Sequence, residues 1–174
     1  MRDRRHGRWS ALVGVTALAF SLLTAAPALA DEAPDGLQAV SIPTDAEIIE
    51  ATAPELGPEL PAEGSAAQAV SPPVDCLGQT AAYGAEGCFK HYGDTVWAGD
   101  TEKDGMSAAI GIYTDYGRAA AVCINNRGVN TWATCKYDYW EKGHVQLRVF
   151  RYDSDTDTFY QPEKWSSWIP VDGA

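Results

Sequence analysis

Residues 87–109 read GCFKHYGDTVWAGDTEKDGMSAA. Strand grammar begins here. Phe89–Tyr92 and Thr95–Ala98 flank Gly93-Asp94, which predicts a two-residue type II′ hairpin, because glycine takes the positive φ of that turn at little cost. This register sets His91 opposite Val96, Lys90 opposite Trp97 and Cys88 opposite Gly99. The stem of Lys90 lying across the Trp97 ring would be a cross-strand pair. Asp100 to Gly105 then reads as an acidic loop.

The same pattern continues downstream. A strand over Met106–Thr114 turns at Asp115-Tyr116-Gly117 into Arg118–Asn125. Asn126–Asn130 turns the chain into Thr131–Tyr139, and Glu141-Lys142-Gly143 turns it again. His144–Tyr152 alternates, with Val145, Leu147 and Val149 on one face and Gln146 and Arg148 on the other, as in a half-buried strand. Asp153–Asp157 is a turn, and Thr158–Gln161 and Trp165–Val171 close the set, split by Pro162. Turn signals recur roughly every ten residues and helical spacing is absent. The expected fold is all-β, a small antiparallel β-sandwich or partly closed barrel of about seven to eight short strands.

Upstream the composition changes. Residues 31–75 hold ten Asp and Glu, no Lys or Arg, seven prolines and no aromatic residue. Such a segment buries too little apolar surface to offset its ordering entropy, so it reads as a disordered leader. Ala46–Ala53 could form one frayed helical turn between Pro43 and Pro54. The leader is either a solvated spacer or a prosegment removed after export. Residues 1–30 read as a signal peptide: Arg2, Arg4, Arg5 and Arg8, an apolar run from Ala11 to Leu23, then the cleavage signature Ala28-Leu29-Ala30. His6-Gly7 after the arginine pair favours the general secretory route over the twin-arginine one. Leu60–Gly64 resembles a wall-sorting signal but has no apolar tail, so it reads as linker. No other segment is long and apolar enough to span a membrane.

The chain carries a net charge of −11, and its first 30 residues hold four Arg and one Asp, leaving −14 on the remainder. That opposes binding to nucleic acid or anionic lipid. Four cysteines in an exported chain read as two disulfides. A hairpin centred on Val129 sets Cys123 opposite Cys135, with Ala121 facing Tyr137 and Ala119 facing Tyr139. Cys76–Cys88 follows by elimination, although three pairings are formally open.

The run Tyr92–Ala108, followed by Gly117-Arg118, Cys123, Gly128, Thr131-Trp132 and Cys135, resembles the small secreted proteins of Streptomyces and related actinobacteria. Met106 stands where that family often has His or another polar residue, and Cys76 lies outside the matching part. The resemblance implies secretion and an all-β domain. It brings no catalytic residue.

Several groups invite a chemical reading. Asp153, Asp155 and Asp157 form a D-x-D-x-D run with calcium-type oxygen donors, but turn chemistry also accounts for it. If the Asp100–Gly105 loop lay at the same end, the two could share an ion. Ser107, His91 and Asp94 could be named as a triad, but no nucleophile-elbow motif accompanies them. Neither zinc nor phosphate spacing occurs. No cofactor is expected. The aromatic residues outnumber what one small core needs. If the face of Cys135 and Tyr137 points inward, Trp132 and Lys136 point outward, and with Trp97 and Lys90 they form a candidate ligand platform. The expected function is extracellular binding of a wall polysaccharide or a secreted protein. A small hydrolase with a carboxylate pair and a self-associating surface protein are the alternatives.

Overall fold

The alternation of Val145, Leu147 and Val149 becomes the central strand of a sandwich. In a computed structural model that describes residues 37–55 and 70–174, all three are fully buried. The described residues form ten strands and no helix: β1 (Glu47–Glu50), β2 (Leu77–Ala82), β3 (Ala85–Lys90), β4 (Thr95–Asp100), β5 (Ser107–Thr114), β6 (Ala121–Asn125), β7 (Thr131–Lys136), β8 (His144–Asp153), β9 (Thr158–Trp165) and β10 (Ile169–Pro170). The first sheet runs β1-β6-β5-β8-β10, with β9 also on β8, and the second runs β2-β3-β4-β7. Every pairing is antiparallel except β1 with β6. β1 and β2 are the strands that the sequence reading does not anticipate.

The inner faces meet in one core. Phe89, Val96, Ala98 and Ala133 come from the second sheet, and Ile110, Ile112, Val145, Leu147 and Val149 from the first. Small residues opposite large ones let the layers interdigitate. Pro162 does not split its strand. β9 pairs with β8 on one side and bridges the leader only at Ala39–Tyr160 on the other, so Pro162 lies beyond the paired positions of that outer side, where its missing N–H is tolerated, and the register slips across Phe150.

The leader is the largest correction. Residues 37–55 pack on the domain, and Glu47–Glu50 form a strand where a helical turn was expected. Val40, Ile42 and Ala46 cover a second cluster on the outer face of the first sheet, with Val122, Ile124, Phe150 and Phe159. The Val40 N–H donates to Phe159 O at 2.7 Å, and Gln161 N–H to Gln38 O at 2.9 Å. Next, β1 pairs with the edge of β6, and Thr52 exchanges both backbone bonds with Thr134 of β7, at 3.0 and 2.9 Å. The segment thus starts on one sheet and ends on the other, closing an open side of the sandwich. Few apolar side chains suffice because existing sheet edges supply the hydrogen-bond partners. The expected signal peptide, residues 31–36 of the leader and Leu60–Gly64 lie outside the described residues.

Both disulfides join the expected cysteines: Cys76–Cys88 with Cα atoms 5.6 Å apart, and Cys123–Cys135 with Cα atoms 5.9 Å apart. The hairpin invoked for the second does not exist. Cys123 sits on β6 in the first sheet and Cys135 on β7 in the second, so the bridge crosses the core. Inward-facing cysteines on two packed layers meet the same distance requirement as a pair across a hairpin.

The turn at Gly93-Asp94 is also wider than expected. Lys90 pairs with Thr95, Phe89 with Val96 and Cys88 with Trp97, leaving His91–Asp94 as a four-residue turn. Its cause is tertiary. Asp94 Oδ2 accepts the Tyr139 N–H at 2.6 Å, and Asp94 O accepts the Tyr137 N–H at 3.0 Å, so the loop after β7 holds the turn open. The register moves by two residues, which leaves every side chain on its predicted face.

Candidate functional site

The outer face of the second sheet is a grid fixed by strand register. One row reads Lys90, Thr95, Lys136 across β3, β4 and β7; the next reads Cys88, Trp97, Thr134; the third reads Glu86, Gly99, Trp132. The inward neighbours Phe89, Val96 and Ala133 are buried in the core, so period two sends this set outward. All four predicted platform residues therefore share one face.

Their geometry differs in one respect. Trp132 is half-buried rather than freely exposed. It lies over Gly99, where an added Cβ would stand 2.9 Å from two Trp132 ring atoms. Its ring meets Trp97 edge to face, with centroids 6.5 Å apart at 62°. Gly99 leaves the vacancy into which the indole folds, and no residue-type pattern in the sequence reveals that.

Two shallow grooves flank the tryptophan pair. One, of about 430 Å³, is lined by Lys90, Tyr92, Trp97, Thr134, Lys136 and Glu55. The other, of about 380 Å³, is lined by Gln79, Glu86, Trp132 and Lys164 among others. Lys136 Nζ pairs with Glu55 Oε2 at 2.6 Å, and this bond holds the Glu55 carboxyl below its ordinary range. Both side chains are mostly exposed, so the pair contributes little to stability. Among the described residues Lys90 has no ion-pair partner. The Trp97 indole N–H is buried and has no hydrogen-bond acceptor among them either.

The calcium candidates are used locally. Asp153 Oδ1 accepts the Asp155 N–H at 2.9 Å, Asp153 Oδ2 accepts the Thr156 hydroxyl at 3.0 Å, and Asp157 Oδ1 accepts the Tyr152 hydroxyl at 2.9 Å. The Asp100–Gly105 loop does lie at this end, since Ser107 pairs with Tyr152. Its Asp104, however, is bonded to buried Arg151 at 2.7 Å. Among the described residues no group of three His, Cys, Asp or Glu is placed to hold a metal ion.

Ser107, His91 and Asp94 do not assemble. His91 and Asp94 precede β4, whereas Ser107 follows the loop at its far end. Burial raises the carboxyls of Asp94 and Asp100, against the pull of the Tyr139 and Glu102 N–H groups. These two stand at opposite ends of β4, too far apart to act as a glycosidase pair.

One pairing is not legible in the sequence. The His144 N–H donates to Asp115 Oδ1 at 2.9 Å, and its ring Nδ1 lies 2.8 Å from Asp115 Oδ2. The backbone bond is the largest cause lowering the Asp115 carboxyl. With exposed Trp168 they line a depression of about 300 Å³. Among the described residues no Ser, Thr or Cys lines it, and the β5–β8 pairing brings the two together. The remaining aromatics are mostly engaged: Trp140 packs against Tyr116 and Trp165 against Tyr113, with centroids 5.7 and 4.8 Å apart.

Compared with known proteins, the chain matches no family model, no curated protein and no solved structure.

Proposed function

We propose that this chain is an exported protein whose β-sandwich binds carbohydrate on the outer face of its second sheet. The observation that carries this reading is the Trp97–Trp132 pair, set on the face away from the core between two open grooves. Aromatic rings present apolar faces at low conformational cost, and neighbouring Thr134, Gln79 and Glu86 offer hydrogen-bonding groups for hydroxyls. Two disulfides and the N-terminal export signature support an extracellular setting. The test is retention of the purified protein on insoluble chitin, cellulose and peptidoglycan. The reading expects retention on at least one, lost in Trp97→Ala and Trp132→Ala variants whose melting shows them folded. Equal retention of wild type and both variants would refute it.

A further inference from the structure

Resting on that reading, we infer that the carbohydrate is acidic, a uronic-acid chain whose carboxylate sits over Thr95 between Lys90 and Lys136. The chain has five lysines, and three of them, Lys90, Lys136 and Lys164, line the grooves beside the tryptophans. This is an unusual concentration in a chain of net charge −11. At physiological ionic strength fields are screened beyond about 8 Å, so the local lysines decide the fit rather than the distant negative charge.

Strand register sets the geometry. Lys90 and Lys136 both pair with Thr95, one from each side. Their Cα atoms are therefore about 10 Å apart across two strand spacings, with a small residue between them. Two ammonium groups facing each other across one position repel, and an anion between them relieves that. Trp97 stands two residues further along β4 on the same face, so a ring stacked there places its acidic substituent over the lysine row.

The resident carboxylate indicates the chemistry. Glu55 already occupies Lys136 at 2.6 Å, and its side chain is 80% exposed, so it is held by little besides that lysine. A sugar carboxylate would replace it in kind. Glu55 then acts as an intramolecular competitor, which makes its removal informative.

The experiment is native affinity electrophoresis of the full-length mature protein in gels containing polygalacturonate or neutral galactan. Wild type is expected to be retarded more strongly by polygalacturonate. Lys90→Gln and Lys136→Gln should each weaken that retardation by up to roughly five-fold, and by more than they weaken any retardation by galactan. Glu55→Gln should strengthen it. Equal retardation by both polymers, or lysine variants indistinguishable from wild type, overturns the acidic ligand and leaves the carbohydrate reading standing. If neither gel retards the protein and the insoluble polysaccharides also fail to retain it, both fall. Circular dichroism of each variant separates loss of binding from loss of fold.

Discussion

Trp97 and Trp132 meet edge to face because Gly99, directly opposite Trp132 on the neighbouring strand, leaves the space the indole fills. A glycine inside a strand weakens it, so this one has a packing use. Gly99→Ala should push Trp132 off the sheet. The expected cost is about 1–3 kcal/mol by overpacking, with loss of carbohydrate retention out of proportion to it. Melting and retention measured together check this. Full retention at unchanged stability would show that the contact does not position the ring.

Asp104 and Arg151 should be a stability site rather than an ion site. The Arg151 side chain is 5% exposed, and its second nitrogen, Nη2, donates to Gln161 O at 2.5 Å. Breaking such a pair strands a buried charge, so Asp104→Ala should destabilise by about 3–5 kcal/mol in denaturant titration. Calcium at millimolar concentration should leave the wild-type melting temperature unchanged. A clear upward shift would return the acidic loops to consideration as an ion site.

The strap over 37–52 predicts what the mature protein retains. Removing it would uncover Val122, Ile124, Phe150 and Phe159 and reopen both sheet edges at β6 and β7. N-terminal sequencing of the protein recovered from culture medium should find a start upstream of Gln38, and a protein made from Cys76 onward should melt lower or aggregate. A stable, soluble protein beginning at Cys76 would contradict this and restore the prosegment.

Burial of Asp94 and Asp100 gives a pH dependence with a defined sign. Their folded carboxyls lie above the ordinary value of 3.8. A raised carboxyl contributes stability that is fully present below the unfolded value and is lost as pH rises through the folded one. Asp115 and Glu55 are shifted down and act oppositely, but both are exposed. Asp94→Asn keeps an oxygen for the Tyr139 N–H and cannot ionise. As pH rises above the ordinary carboxyl range, its melting temperature should fall less than that of wild type. Identical slopes would show that Asp94 does not ionise with a raised value.

The fold class and the face of each platform residue were legible in the sequence because both follow from period two. Val145, Leu147 and Val149 declare a half-buried strand, and inward Cys135 forces Trp132 outward. The turn register was not legible, because Asp94 is held by Tyr139, a partner 45 residues away. The cross-sheet course of Cys123–Cys135 was hidden because a hairpin satisfies the same spacing. The strap was hidden because Val40, Ile42, Ile48 and Ile49 are sparse among Pro and Glu, and their strand pairing comes from edges formed elsewhere. The half-burial of Trp132 depends on a vacancy above Gly99, and composition carries no record of that.

The most direct measurement compares retention on insoluble polysaccharide for three folded proteins: wild type, Trp97→Ala and Trp168→Ala. Trp168 is an exposed tryptophan outside the second sheet, at 47%, beside His144 and Asp115. The outer face of the second sheet as binding site predicts that wild type and Trp168→Ala are retained alike while Trp97→Ala passes through. Retention of Trp97→Ala at the wild-type level, or loss in Trp168→Ala instead, would contradict it.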